Sequence, residues 1–182
     1  ISWRSMKPLT DIAVVGALIL ALATAARADW PLVRGDALAT GAVDGVLPRE
    51  LDILWTYDSG GGAFEATAAI VDGVVYAGDV DGLFHAVKLA DGAKVWTKTF
   101  EDTGFIAGTA VANGRIFCVD FNGVVRALDT TNGDLLWQFN TDSALYAAPN
   151  VHEGRVLMVT DSGELISLDE ATGNETWERF RI

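Results

Sequence analysis

Asp79-Val-Asp81-Gly82 invites a chemical reading first, because carboxylates at alternate positions ahead of a glycine open the loops that wrap calcium. Such a loop is closed by a bidentate glutamate eleven residues after its first ligand, and Ala90 stands at that position. A hairpin turn accounts for the four residues better. The two histidines are isolated: neither His85 nor His152 has a second His or a Cys at metal-ligand or catalytic spacing. His85 is therefore expected on an exposed strand, and His152 beside the Glu153-Gly154 turn. The single cysteine, Cys118, sits in the strand-like run Arg115-Ile-Phe-Cys-Val-Asp120 and has no partner for an internal disulfide. It is read as a small buried hydrophobe. The residue types that do chemistry yield no catalytic, cofactor-binding or metal-binding set.

The elements that carry these residues repeat. Trp55, Trp96, Trp137 and Trp177 follow one another at intervals of 41, 41 and 40 residues. The stretches before the last three align as Ala86-Val-Lys-Leu-Ala-Asp-Gly92-Ala-Lys-Val-Trp96, Ala127-Leu-Asp129-Thr-Thr-Asn-Gly133-Asp-Leu-Leu-Trp137 and Ser167-Leu-Asp169-Glu-Ala-Thr-Gly173-Asn-Glu-Thr-Trp177. A period of about 40 residues is the length at which four short strands make one propeller blade. Within each period Asp72-Gly73, Asn113-Gly114 and Glu153-Gly154 mark one hairpin, and Asp81-Gly82, Asn122-Gly123 and Ser162-Gly163 mark the next. Pairs of this kind signal two-residue hairpins, because glycine, and less readily Asn or Asp, accepts the positive φ such turns demand. The third connection runs through 88–92, 129–133 and 169–173, where Asp or Thr side chains bond the turn backbone before glycine reverses the chain.

The expected fold class is all-β: four-stranded antiparallel blades, about three of them, in an incomplete arc. The first strands, expected over 64–70, 105–111 and 145–151, are rich in Ala and Gly. Strand propensity does not select these residues; convergence of inner strands on an axis does, since large side chains would collide there.

Half of the residues are hydrophobic and 21% are charged, a globular composition. Net charge is −12, with the basic residues scattered singly, so there is no face for phosphates and nucleic acid is excluded as the expected partner. Residues 1–28 read as a signal peptide with a short upstream extension. From Met6-Lys7 the chain enters an apolar run over 12–23 and reaches Ala26-Arg27-Ala28, the small-x-small pattern of a cleavage site, so the mature chain is expected to part between Ala28 and Asp29. That run is shorter than the about 20 residues a bilayer span needs. No stable membrane span is expected after cleavage, and the location is periplasmic or secreted. Residues 29–56 then form a lead-in ending in a lone outer strand, and 57–182 hold the repeats.

The repeats resemble the PQQ-like, or quinoprotein-type, β-propeller family of secreted bacterial proteins, whose tryptophan-docking motif runs Ala-x-Asp-x-x-x-Gly-x-x-x-Trp. The match is complete at Ala127, Asp129, Gly133 and Trp137. The repeat with Ala86, Gly92 and Trp96 has Lys88 where the family has Asp, and the repeat with Asp169, Gly173 and Trp177 has Ser167 where the family has Ala. Trp30-Pro-Leu-Val-Arg-Gly-Asp36 and the segment 47–55 are similar to the family's lead-in, which absorbs the adhesion-like tripeptide Arg34-Gly35-Asp36.

The resemblance implies that each docking tryptophan covers the gap between adjacent blades while its N–H finds a backbone acceptor. It also implies two functional classes. Quinoprotein dehydrogenases of the family hold pyrroloquinoline quinone on the axis with calcium, and many add a vicinal cysteine pair. Here Glu65 and Asn150 are the residues of the inner strands expected to point towards the axis, and two isolated polar side chains fall short of the six to eight oxygens calcium takes. One cysteine cannot make the pair. Related propellers without quinone serve as interaction platforms, among them the propeller lipoprotein of the outer-membrane barrel-assembly machinery. The expectation is therefore a binding or scaffold module without a cofactor, its partner another protein or a small ligand on an end face. The alternative is a fragment of a PQQ- and calcium-dependent alcohol or sugar dehydrogenase.

Overall fold

A computed structural model describes residues 29–42 and 49–182; the expected leader, with Ala28 of its cleavage site, lies outside the described residues. Twelve strands form three antiparallel sheets of four. The first comprises β1 (Ala69–Val71), β2 (Val74–Gly78), β3 (Leu83–Lys88) and β4 (Lys94–Thr99), paired in chain order. The second repeats the order with β5 (Ala110–Ala112), β6 (Arg115–Val119), β7 (Val124–Asp129) and β8 (Leu135–Asn140). The third does so with β9 (Asn150–His152), β10 (Arg155–Val159), β11 (Glu164–Asp169) and β12 (Phe180–Arg181). These are three blades of a β-propeller in an unclosed arc.

Alternation along each strand sends successive side chains to opposite faces, so the second sheet builds two junctions and each outer sheet builds one. Between the first and second sheets Tyr76, Phe84 and Trp96 meet Ile116, Cys118 and Leu128. Between the second and third, Phe117, Val125 and Ala127 meet Val156, Met158 and Leu168. Phe84, Phe117 and Leu168 are wholly buried, and each such side chain contributes roughly 1.5–3 kcal/mol relative to exposure.

Three expectations need correction. The first strands are short: β1 pairs with β2 only over Ala69–Val71, opposite Val74–Tyr76, and before it Thr67 O accepts instead from Thr109 N of the next repeat at 3.2 Å. The second hairpin is not a two-residue turn. Four residues, 79–82, separate β2 from β3, and of these Gly82 alone has positive φ (86°). The first hairpin does follow the two-residue pattern, with Asp72 and Gly73 at φ 52° and 73°.

The third correction concerns Trp177, which lies in a bend outside any strand. In the first two sheets Ala86 pairs with Trp96 and Ala127 with Trp137, and a bulge follows each pair. In the third, the hydroxyl of Thr176 bonds the buried Ser167 hydroxyl at 2.7 Å and its amide bonds Ser167 O at 2.9 Å. Leu165 then pairs with Phe180, one residue further along than the earlier blades pair, and the fourth strand shrinks to two residues.

Candidate functional site

The tryptophans act forward along the chain. Trp96 Nε1 donates to Thr130 O at 3.0 Å and Trp137 Nε1 to Glu170 O at 3.1 Å, each in the third connection of the following repeat. Gly133 and Gly173, at φ 72° and 73°, close these connections. A Cβ on Gly133 would stand 2.8 Å from the Trp96 ring, and one on Gly173 would stand 2.6 Å from the Trp137 ring. Only glycine supplies both the left-handed turn and the flat seat. Asp129 and Asp169 cap the same turns by accepting from Thr131 N (2.7 Å) and Thr172 N (2.8 Å). Their carboxyls are held below the usual value chiefly by the Thr131 and Thr172 hydroxyls. Trp55 occupies the remaining seat, with its ring against Gly92 and Nε1 bonded to Leu89 O at 2.7 Å. Sequence reasoning had left Trp55 out of the docking set. Trp177 has an Arg155 guanidinium 5.8 Å from its ring centroid and remains 39% exposed.

A second recurrent device lies in the 79–82 loop and its counterparts. Asp79 is fully buried; its Oδ1 accepts from the amides of Asp81 (3.0 Å) and Leu83 (2.8 Å), and its Oδ2 meets His85 Nε2 at 3.0 Å. Tyr57 continues the chain, its hydroxyl 3.1 Å from His85 Nδ1. His85 is thus 2% exposed, which overturns the exposed-strand expectation. The next repeat places Asp120 and Arg126 in the same relation at 2.5 Å, with Arg126 stacked 4.9 Å over Phe100. In the third, Thr160 keeps the amide bond to Glu164 and Ile166 replaces the cation. Acid and base disappear together, as a buried charge without its partner is costly. The shared change at 79/85, 120/126 and 160/166 is the sequence signal that would have revealed the pair. His152 is exposed beside Glu153, as expected.

The axial residues named from the sequence are not brought together as a ligand set. Glu65 is exposed, while Asn150 donates from Nδ2 to Ala37 O at 3.3 Å. Among the described residues no group of three or more His, Cys, Asp or Glu is placed to hold a metal ion. Cys118 is buried between the first two sheets, and burial pushes its thiol up to about 12. A cavity of about 380 Å³ lies on the face of the first sheet turned away from the second, lined by Trp55, Tyr57, Phe64, Val75, His85 and Val87. The equivalents of Val75 and Val87 are packed by a neighbouring sheet at both interior junctions; the cavity is the open half of such a junction. No helix among the described residues is long and apolar enough to cross a membrane.

Residues 39–180 match the family described as outer membrane protein assembly factor BamB. The chain is similar to 1-butanol dehydrogenase (cytochrome c) of Thauera butanivorans, 29% identical over 132 residues that make up 72% of this chain and 15% of that protein. Among solved structures it resembles BamB from Moraxella catarrhalis, with a TM-score of 0.64 at 23% identity over 71% of this chain and 40% of that one. It also resembles quinohemoprotein alcohol dehydrogenase from Comamonas testosteroni, with a TM-score of 0.72 at 23% identity over 84% of this chain and 27% of that one. The chain spans about a seventh of the curated relative and less than half of either structure.

Proposed function

For a chain that belongs to the family described as outer membrane protein assembly factor BamB, we propose an extracytoplasmic binding or scaffold module that meets another protein or a small ligand through its end faces. The destination of the polar side chains carries this reading. Asp79, Asp120, Asp129 and Asp169 cap loops, and His85 and Arg126 are held by buried carboxylates. Groups already engaged in folding are not poised as acids, bases or ligands. The turns that remain exposed line the two ends of the arc, where Asp81, Asp102, Asp142 and Asp161 stand on one side. The apolar run and Ala26-Arg27-Ala28 support export, with the mature chain starting at Asp29.

The second reading, part of a quinone-dependent alcohol dehydrogenase, is favoured by the likeness to 1-butanol dehydrogenase. One experiment separates the two. The whole protein that carries this chain, exported by a bacterium with a cell envelope, is titrated with pyrroloquinoline quinone and calcium and assayed for dye-linked oxidation of 1-butanol. The scaffold reading expects neither binding nor turnover; micromolar binding with turnover replaces it by the dehydrogenase.

A further inference from the structure

Thr67, Gly108 and Ala148 are the same position in three successive repeats, each two residues before the first strand of its sheet, and equivalent positions of a radial array approach one another on its inner side. A Cβ added to Gly108 would lie 3.4 Å from Thr67 Cβ and 3.3 Å from Ala148 Cβ, and it would collide with Cγ2 of Val33. Val33 therefore sits on the inner rim of the arc, against the second sheet. The backbone around it follows the inner edge of the arc. Trp30 N donates to Ile70 O at 2.7 Å and Ile70 N returns to Trp30 O at 2.9 Å, while Val111 N donates to Pro31 O at 2.8 Å. Asn150 then reaches Ala37 O at 3.3 Å. The segment engages β1, β5 and β9 in turn. It satisfies the amides of Ile70 and Val111, which would otherwise stand unpaired on the inner edge of the arc.

Two positions are shaped for this segment. Gly108 is not in the left-handed region, so what it provides is space for Val33. Asn150 stands where the other two inner strands carry the buried Ala69 and Ala110. Its orientation is set by the carbonyl of Ala37, which only the Nδ2 end can meet.

We propose that residues 30–37 are a built-in strap that runs along the inner rim of this arc and ties the three inner strands together. The proposal does not depend on the scaffold reading, since a strap on the inner rim is compatible with any partner on the end faces.

The test is hydrogen exchange on the full chain, comparing the natural protein with Gly108→Ala, Val33→Ala and the double variant. Gly108→Ala should speed exchange at Ile70 and Val111 at least tenfold, because the new methyl takes the space of Val33, while Ile116 within β6 stays protected. Adding Val33→Ala should restore the slow exchange. Unchanged protection in Gly108→Ala, or a double variant no better than the single, overturns the proposal. If Gly108→Ala does not fold, recovery of folded protein by the double variant supports the strap, and failure to recover overturns it.

Discussion

Trp137 concentrates what one residue does here: its ring lies on Gly173, its N–H reaches Glu170 O, and it tilts at 38° against Phe117 with centroids 5.8 Å apart. Trp137→Ala leaves a cavity at the junction of the second and third sheets and should cost about 3–5 kcal/mol. Trp177→Ala should cost much less, because that ring docks on no turn among the described residues. Thermal unfolding of the two variants checks the order; equal losses would mean that docking is not where the stability lies. The tryptophans were legible because their spacing is written in the chain. Which turn each one covers was not, since that depends on the following repeat, and so Trp55 was missed and Trp177 included. His85 was misjudged for a related reason. Its partners, Asp79 six residues upstream and Tyr57 beyond the sheet, become neighbours only when the 79–82 loop closes.

Turns are the elements on which the seats rest, and two of them depend on an ionised carboxylate. Asp129 and Asp169 have folded-state pKa values below 3.8, with hydroxyl bonds from Thr131 and Thr172 as the first cause. A group with a depressed folded pKa contributes stability that is complete above its unfolded value and is lost as pH falls through the folded one. The melting temperature should therefore be level from neutrality down to about pH 5 and fall below about pH 4. Asp129→Asn and Asp169→Asn should each flatten that acid limb, with a small effect, because both residues are only partly buried and solvent screens their carboxylates. A limb identical in both variants would remove these turns from the explanation. The first hairpins and third connections were legible because local residue chemistry decides them. The second hairpin was not: Asp81-Gly82 has the letters of a two-residue turn, yet buried Asp79 holds a four-residue loop open by bonding Asp81 and Leu83.

At the scale of the whole molecule, three sheets share two buried junctions and leave two outer faces without a neighbour. One is the face with Trp55, Tyr57 and Phe64 around a cavity of about 380 Å³; the other belongs to the third sheet, where Val159 and Trp177 are 37% and 39% exposed. The period announced this architecture, because a sheet of about 40 residues cannot bury both its faces alone. Closure of such an array takes four to eight blades. Fold stability in stacked repeats is a sum over repeats and their interfaces, so an arc of three retains the cost of ordering its outer sheets without the return from their second junctions. Residues 29–182 produced alone should therefore bind a hydrophobic dye and associate, with β6 and β7 of the second sheet, which is packed on both faces, more protected from exchange than β2 or β10. The same residues followed by about four or five more repeats should melt in one cooperative step and lose the dye signal. The comparison is decided by dye fluorescence, sedimentation and the shape of the melt. A sharp, reversible transition of monomeric 29–182 would show that two junctions and the strap of residues 30–37 suffice, and that the outer faces are tolerated surfaces rather than unfinished interfaces.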